Sequence, residues 1–113
     1  MEEAHARELL AAERRRLEQA LADLARGGGD ELSHVDQHMA DEGSELFEQE
    51  RDDGIAARLR AELAAVDRAE RRLEAGTFGL SVESGQPIPD ERLEVMPTAE
   101  RTVEEQSRLD RGS

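Results

Sequence analysis

The densest chemistry in this 113-residue chain is a run of carboxylates. Between residues 30 and 53 stand ten acids, Asp30, Glu31, Asp36, Asp41, Glu42, Glu45, Glu48, Glu50, Asp52 and Asp53, against the single cation Arg51. Carboxylates in a first helical turn complement the helix dipole by about 0.3–1 kcal/mol each, but ten exceed that use and repel one another. Two of the three histidines, His34 and His38, lie in the same stretch. His38 with Asp36 and Asp41 has the ligand types for weak binding of a divalent cation. Exposed polar residues on a turn are the preferred reading of that trio. Ser44 and Ser84 have no histidine in an activating arrangement. Gly27-Gly28-Gly29 lacks the preceding strand and the following Lys-Ser/Thr of a phosphate-cradling loop. The pattern is that of a charged surface, and no enzyme is expected.

The charge balance narrows the partners. A formal net charge of −13 excludes direct duplex binding, which needs clustered Lys and Arg against phosphates. An acidic chain meets a basic protein surface, a metal-loaded site or a nucleic-acid-binding enzyme instead. There is no hydrophobic run of membrane length and no signal-peptide pattern, so a soluble, cytoplasmic protein is expected. The absence of cysteine rules out disulfides. Apolar residues make up 36% and aromatics 2%, too little for a large globular core and enough for the seam between two helices.

Two long segments can position the acids. Residues 2 to 26 repeat Leu10, Leu17 and Leu24 at sevens, with Ala20 and Leu21 beside them. That spacing predicts a coiled-coil arm whose Arg14, Arg15 and Arg16 form a solvated flank; His5 lies on the same arm. Residues 41 to 75 place Ile55, Leu59, Leu63, Val66 and Leu73 at spacings of four, four, three and seven, one face of a second helix. Gly54 is its weak interior point, costing about 1 kcal/mol against alanine. Gly76 is a natural terminator. The connection from Gly27 to about Met39 lets the arms pair antiparallel, with the acids at the hairpin's far tip.

After Gly76 the character changes. Residues 77–98 carry all three prolines, with Phe78, Leu80, Val82, Ile88, Leu93, Val95 and Met96 between them. This predicts a compact loop-rich lobe with one or two short strands. Thr98 is the expected N-cap of a last helix from Ala99 to Leu109, with Val103 and Leu109 turned toward the lobe.

Beside that reading stands a resemblance. The terminator Gly76-Thr77-Phe78-Gly79 and the block SVESGQPIPDERLEVMPTAE (Ser81 to Glu100) look like the DksA/TraR family of bacterial transcription factors. The family carries G-T-Y-G, a C-x-x-C-G knuckle, P-I-x-x-x-R-L-x-A-x-P-T-A and a second C-x-x-C. Asp36 to Asp52 is similar to the D-N-H-P-A-D-x-G-S-E-x-F-E pattern of its yteA-like branch. The likeness covers roughly residues 36 to 106, and Arg92, Leu93, Glu94, Pro97, Thr98 and Ala99 are its most specific part.

The resemblance implies a mainly α protein. An antiparallel two-helix coiled-coil hairpin (residues 1–76) carries a small degenerate zinc-finger-like lobe with a short C-terminal helix (residues 77–113). It also implies a partner, RNA polymerase, whose secondary channel the hairpin enters with its acidic tip toward the active centre; some members act with ppGpp. The family's tip motif, D-x-x-D-x-A, falls on His38, Asp41 and Gly43, with Asp36 and Glu42 beside them, so Asp41 alone keeps its residue type. The first cysteine pair falls on Ser81 and Ser84, with Gly85 keeping its place, and the second on Thr102 and Glu105. Hydroxyls and one carboxylate do not make a tetrahedral thiolate or imidazole site, so no zinc and no other cofactor is expected. A module that kept the coiled-coil scaffold for dimerisation while losing polymerase regulation is the alternative.

Overall fold

The computed structural model describes residues 1–27 and 42–112, with the side chains of residues 42–45 left out. The chain is mainly α. Helix α1 spans Glu3–Ala25, α2 Glu42–Ala75, α3 Asp90–Val95 and α4 Val103–Gly112. They fall into two compact units, one of residues 1–14 and 64–113 and one of residues 15–63.

In the first unit the α1–α2 seam closes over Ala6, Leu10, Ala69 and Leu73. Phe78 packs against this cluster and against a second one of Ile88, Leu93 and Ala99, so a single ring joins the seam to the lobe. Arg14 leaves the expected solvated flank and crosses the seam, donating to Glu70 at 2.7 Å and also to Asp67. In the second unit Leu17 and Leu59 are buried, and Arg16 stands 4.0 Å from Glu62. The pairing is antiparallel in each unit, as the two leucine patterns predict. Helix α2 runs through Gly54 without a break.

Its end is built as the glycine predicts. Gly76 takes φ of 81°, its N–H reaches the Leu73 carbonyl at 3.3 Å, and the Thr77 N–H reaches the Arg72 carbonyl at 2.9 Å. This double closure satisfies carbonyls that the last turn leaves open, and it needs a left-handed residue that only glycine supplies at no steric cost.

The lobe departs from expectation in three ways. No strand forms among the described residues. Leu80 and Pro87 make one isolated antiparallel bridge, held by Ser81 N–H to the Gln86 carbonyl at 2.8 Å and Ile88 N–H to the Gly79 carbonyl at 2.7 Å. Pro87 and Pro89 remove the donors a longer ladder would use. A helix, α3, forms where a loop was expected, because Pro89 followed by Asp90 and Glu91 is a sound helix start. The last helix begins at Val103, not Ala99, and its cap is Thr102, not Thr98.

The apolar residues sort differently too. Ile88, Leu93 and Ala99 are buried, but Leu80, Val82, Val95 and Met96 are exposed. Val103 and Leu109, expected to face the lobe, are 52% and 45% exposed, while Glu105 on the same helix is 5% exposed. The inward face of α4 is a carboxylate.

Candidate functional site

That carboxylate is held by its own segment, and a second segment carries its own hydroxyl-capped turn. Thr102 and Glu105 form a reciprocal capping box: Thr102 N–H donates to Glu105 Oε1 at 2.9 Å, and Glu105 N–H donates to Thr102 Oγ1 at 3.2 Å. From the opposite segment, Ser81 Oγ accepts the N–H groups of Glu83 at 3.0 Å and Ser84 at 3.2 Å. Gln86 N–H donates to Ser84 Oγ at 3.2 Å. The nearby Ser81 and Ser84 hydroxyls, followed by the bond from Thr102 N–H, hold the Glu105 carboxyl down at about 2. Gly85, at φ of 75°, makes the turn that brings the serines round, and its N–H returns to the Ser81 carbonyl at 2.9 Å.

These are the four positions expected to correspond to zinc-ligating cysteines. Their donor set does not fit zinc, because three hydroxyls that stay protonated near neutral pH and one carboxylate cannot supply four soft or imidazole ligands. Among the described residues no group of three or more His, Cys, Asp or Glu is arranged to hold a metal.

A second carboxylate ties the lobe to α2. Glu100 accepts from Arg68 Nε at 2.9 Å and Nη2 at 3.4 Å, and from Arg72 Nη1 at 3.0 Å. The Arg68 hydrogen bond is the main reason its carboxyl is held below the usual range; burial opposes this, and the charges of Arg68 and Arg72 add to it. On the α1 side, His5 Nε2 and Glu94 Oε1 lie 2.6 Å apart. Reading the sequence did not find the Glu100 clamp. Its one local signal was Arg68 and Arg72 at i, i+4 on a single helix face.

Both lobe carboxylates have lowered folded-state pKa values, so each stabilises the fold fully above its unfolded value and loses that effect as pH falls. For Glu105 the window runs from 4.5 down to about 2. The lobe's melting temperature is therefore expected to be flat from about pH 7 to pH 5 and to fall steadily below about pH 4.5. Thermal melts followed by amide signals of the lobe check this. A melting temperature unchanged to pH 3 would show that neither carboxylate is bonded as described.

Of the tip residues, Asp36, His38 and Asp41 lie outside the described residues. Glu42 and Gly43 belong to the first turn of α2, their side chains likewise outside the description. The next turn exposes Leu46 and, at 70%, Phe47.

Residues 82–111 match the prokaryotic dksA/traR C4-type zinc finger family. YteA of Bacillus subtilis is 39% identical over 74 residues, covering 66% of this chain and 31% of that protein. The RNA polymerase-binding transcription factor DksA of Caulobacter vibrioides is 37% identical over 79 residues, covering 70% of this chain and 54% of the relative. The chain thus spans about half or less of the length of these relatives. The structure of transcription factor DksA2 from Pseudomonas aeruginosa superposes with a TM-score of 0.74 at 24% identity, covering 96% of this chain and 83% of that one, a likeness of fold. Among the described residues no helix is long and apolar enough to cross a membrane.

Proposed function

Because the chain belongs to the DksA/TraR family and has lost the finger's cysteines, we propose that it is a transcription regulator that binds RNA polymerase directly. Residues 1–76 are the shaft and residues 77–113 the lobe. The hairpin enters the secondary channel with its acidic end toward the active centre, while the lobe and last helix rest on the outer rim. Asp41 is the effector at that end, supported by Asp36, His38, Glu42 and Gly43. A carboxylate there acts on the polymerase's mobile elements or its bound magnesium, since ion pairs strengthen where a narrow channel excludes water. ppGpp is a candidate co-regulator at the same enzyme. No catalytic role is assigned to the chain itself.

The observation that carries this reading is the sequence match to a relative whose name records polymerase binding. The test is polymerase pull-down and in vitro transcription at saturating protein, comparing wild type with Asp41→Asn. One peripheral charge should change binding by less than about 1 kcal/mol, yet the change in transcription should be lost. Equal transcription by the two proteins would remove Asp41 as effector. Failure of the wild type to bind polymerase would leave a coiled-coil interaction module.

A further inference from the structure

The last turns of α2 and the lobe line a common cleft of about 630 Å³. Arg68, Arg71 and Arg72 reach it from the helix and Arg101 from the lobe, together with Glu100 and Val82. Four guanidinium groups thus meet one carboxylate, in a chain whose formal net charge is −13. The lobe side is fixed by its own backbone, since Val82 N–H donates to the Glu100 carbonyl at 2.9 Å. Glu100 shows what such a cleft holds. Its carboxylate takes the Nε and Nη2 edge of Arg68 and the Nη1 of Arg72, the forked grip that guanidinium groups give to carboxylates.

That one carboxylate does not use up the donors. The Arg72 side chain is 15% exposed, and its Nη2 is buried with no hydrogen-bond partner among the described residues. A charged donor buried without an acceptor is costly, so this nitrogen calls for one. Arg71 is exposed and enters no ion pair or hydrogen bond among the described residues. Arg101 directs its Nε to Glu83 at 3.3 Å. We propose that the cleft docks an acidic peptide segment of a partner protein, whose carboxylates bond Arg72 Nη2, Arg71 and Arg101. Shape favours a peptide over a small anion. Small-molecule sites enclose most of their ligand, whereas this cleft lies open to solvent. Its helical side runs for two turns, about 10 Å, the length of three residues of extended chain. Val82, 51% exposed, offers an apolar contact for the methylene stems of glutamate side chains. At physiological salt charges are screened beyond about 8 Å, so the local arginines outweigh the chain's net charge. The inference stands apart from polymerase binding, and the chain alone tests it.

Nitrogen-edited NMR of the full chain, titrated with three probes, decides the matter. Hexaglutamate peptide should shift the Nε–H signals of Arg71, Arg72 and Arg101 and the Val82 amide along one saturable curve. Hexaglutamine, which has the same length and no charge, should shift none of them. Inorganic pyrophosphate should bind more weakly than hexaglutamate. Arg71→Gln removes a donor that the fold does not use, and it should weaken hexaglutamate binding by about fivefold, the upper end for an exposed ion pair. Arg58→Gln removes the same charge from an exposed side chain outside the cleft and should leave the affinity unchanged, which separates a local site from net charge. Shifts that never saturate, or equal affinity in Arg71→Gln and wild type, would overturn the proposal. Pyrophosphate bound more tightly than hexaglutamate would overturn it too, and would give the cleft to a small phosphate anion.

Discussion

Replacing Leu59 by aspartate should separate α1 from α2 and remove most of the chain's helical signal. Leu59 is 6% exposed in the unit of residues 15–63, where Leu17 is fully buried on the other helix. An unpaired polar group placed there has no donor to meet it, and the cost is about 4 kcal/mol or more. Small domains have only about 5–15 kcal/mol in total. Neither helix has an alternative source of stability, since long isolated helices are marginal in water and take most of their stability from a packed face. The exposed neighbour Arg58, which faces Glu62 at 3.8 Å, is the control. Arg58→Asp should cost only about 0.5 kcal/mol, the scale of one i, i+4 pair. Thermal melts followed by circular dichroism decide between them. A Leu59→Asp protein that melts within a few degrees of wild type would mean that the α1–α2 seam is not what stabilises the helices.

Leu93→Ala should open the lobe while leaving the seam closed. Leu93 is 2% exposed and forms the lobe's cluster with Ile88 and Ala99, against which Phe78 packs. Truncating a fully buried leucine costs about 2–5 kcal/mol, because the transfer energy is lost and a cavity remains. A lobe of this size has little reserve, having neither disulfide nor thiolate-bound metal to hold it. The loss therefore exceeds what the Glu105 and Glu100 contacts can offset. Amide exchange across residues 80–100 should approach that of an unfolded chain, while α1 near Leu17 keeps its protection. Val95→Ala, at a side chain 87% exposed, should stay within about 0.5 kcal/mol of wild type. If exchange in the lobe is unchanged in Leu93→Ala, the hydrogen-bonded centre alone suffices to hold it and the apolar cluster is secondary.

The sequence by itself determined the parts of this protein whose causes are local. Leu10, Leu17, Leu59, Val66 and Leu73 are buried where their helical spacing places them, because a stripe of 3.6-residue period has only one face to hide. Gly76 ends α2 because the closure needs a left-handed residue whatever the surroundings. The block ending in Pro97, Thr98 and Ala99 carries the family likeness in its residue types alone. The direction of α4 was decided by tertiary structure alone. Its Val103 and Leu109 are the apolar residues, but they lie six apart and share no face, so its own composition names no buried side. The side that is buried holds Glu105, bonded in the capping box with Thr102, and Ser81 of the other segment is buried as well. The Glu100 clamp has the same origin, since Arg68 and Arg72 share a helix face but are more than twenty residues from their partner, which that spacing does not name. A helical stripe carries its packing in its own period, whereas a polar centre exists only once two distant segments have been brought together.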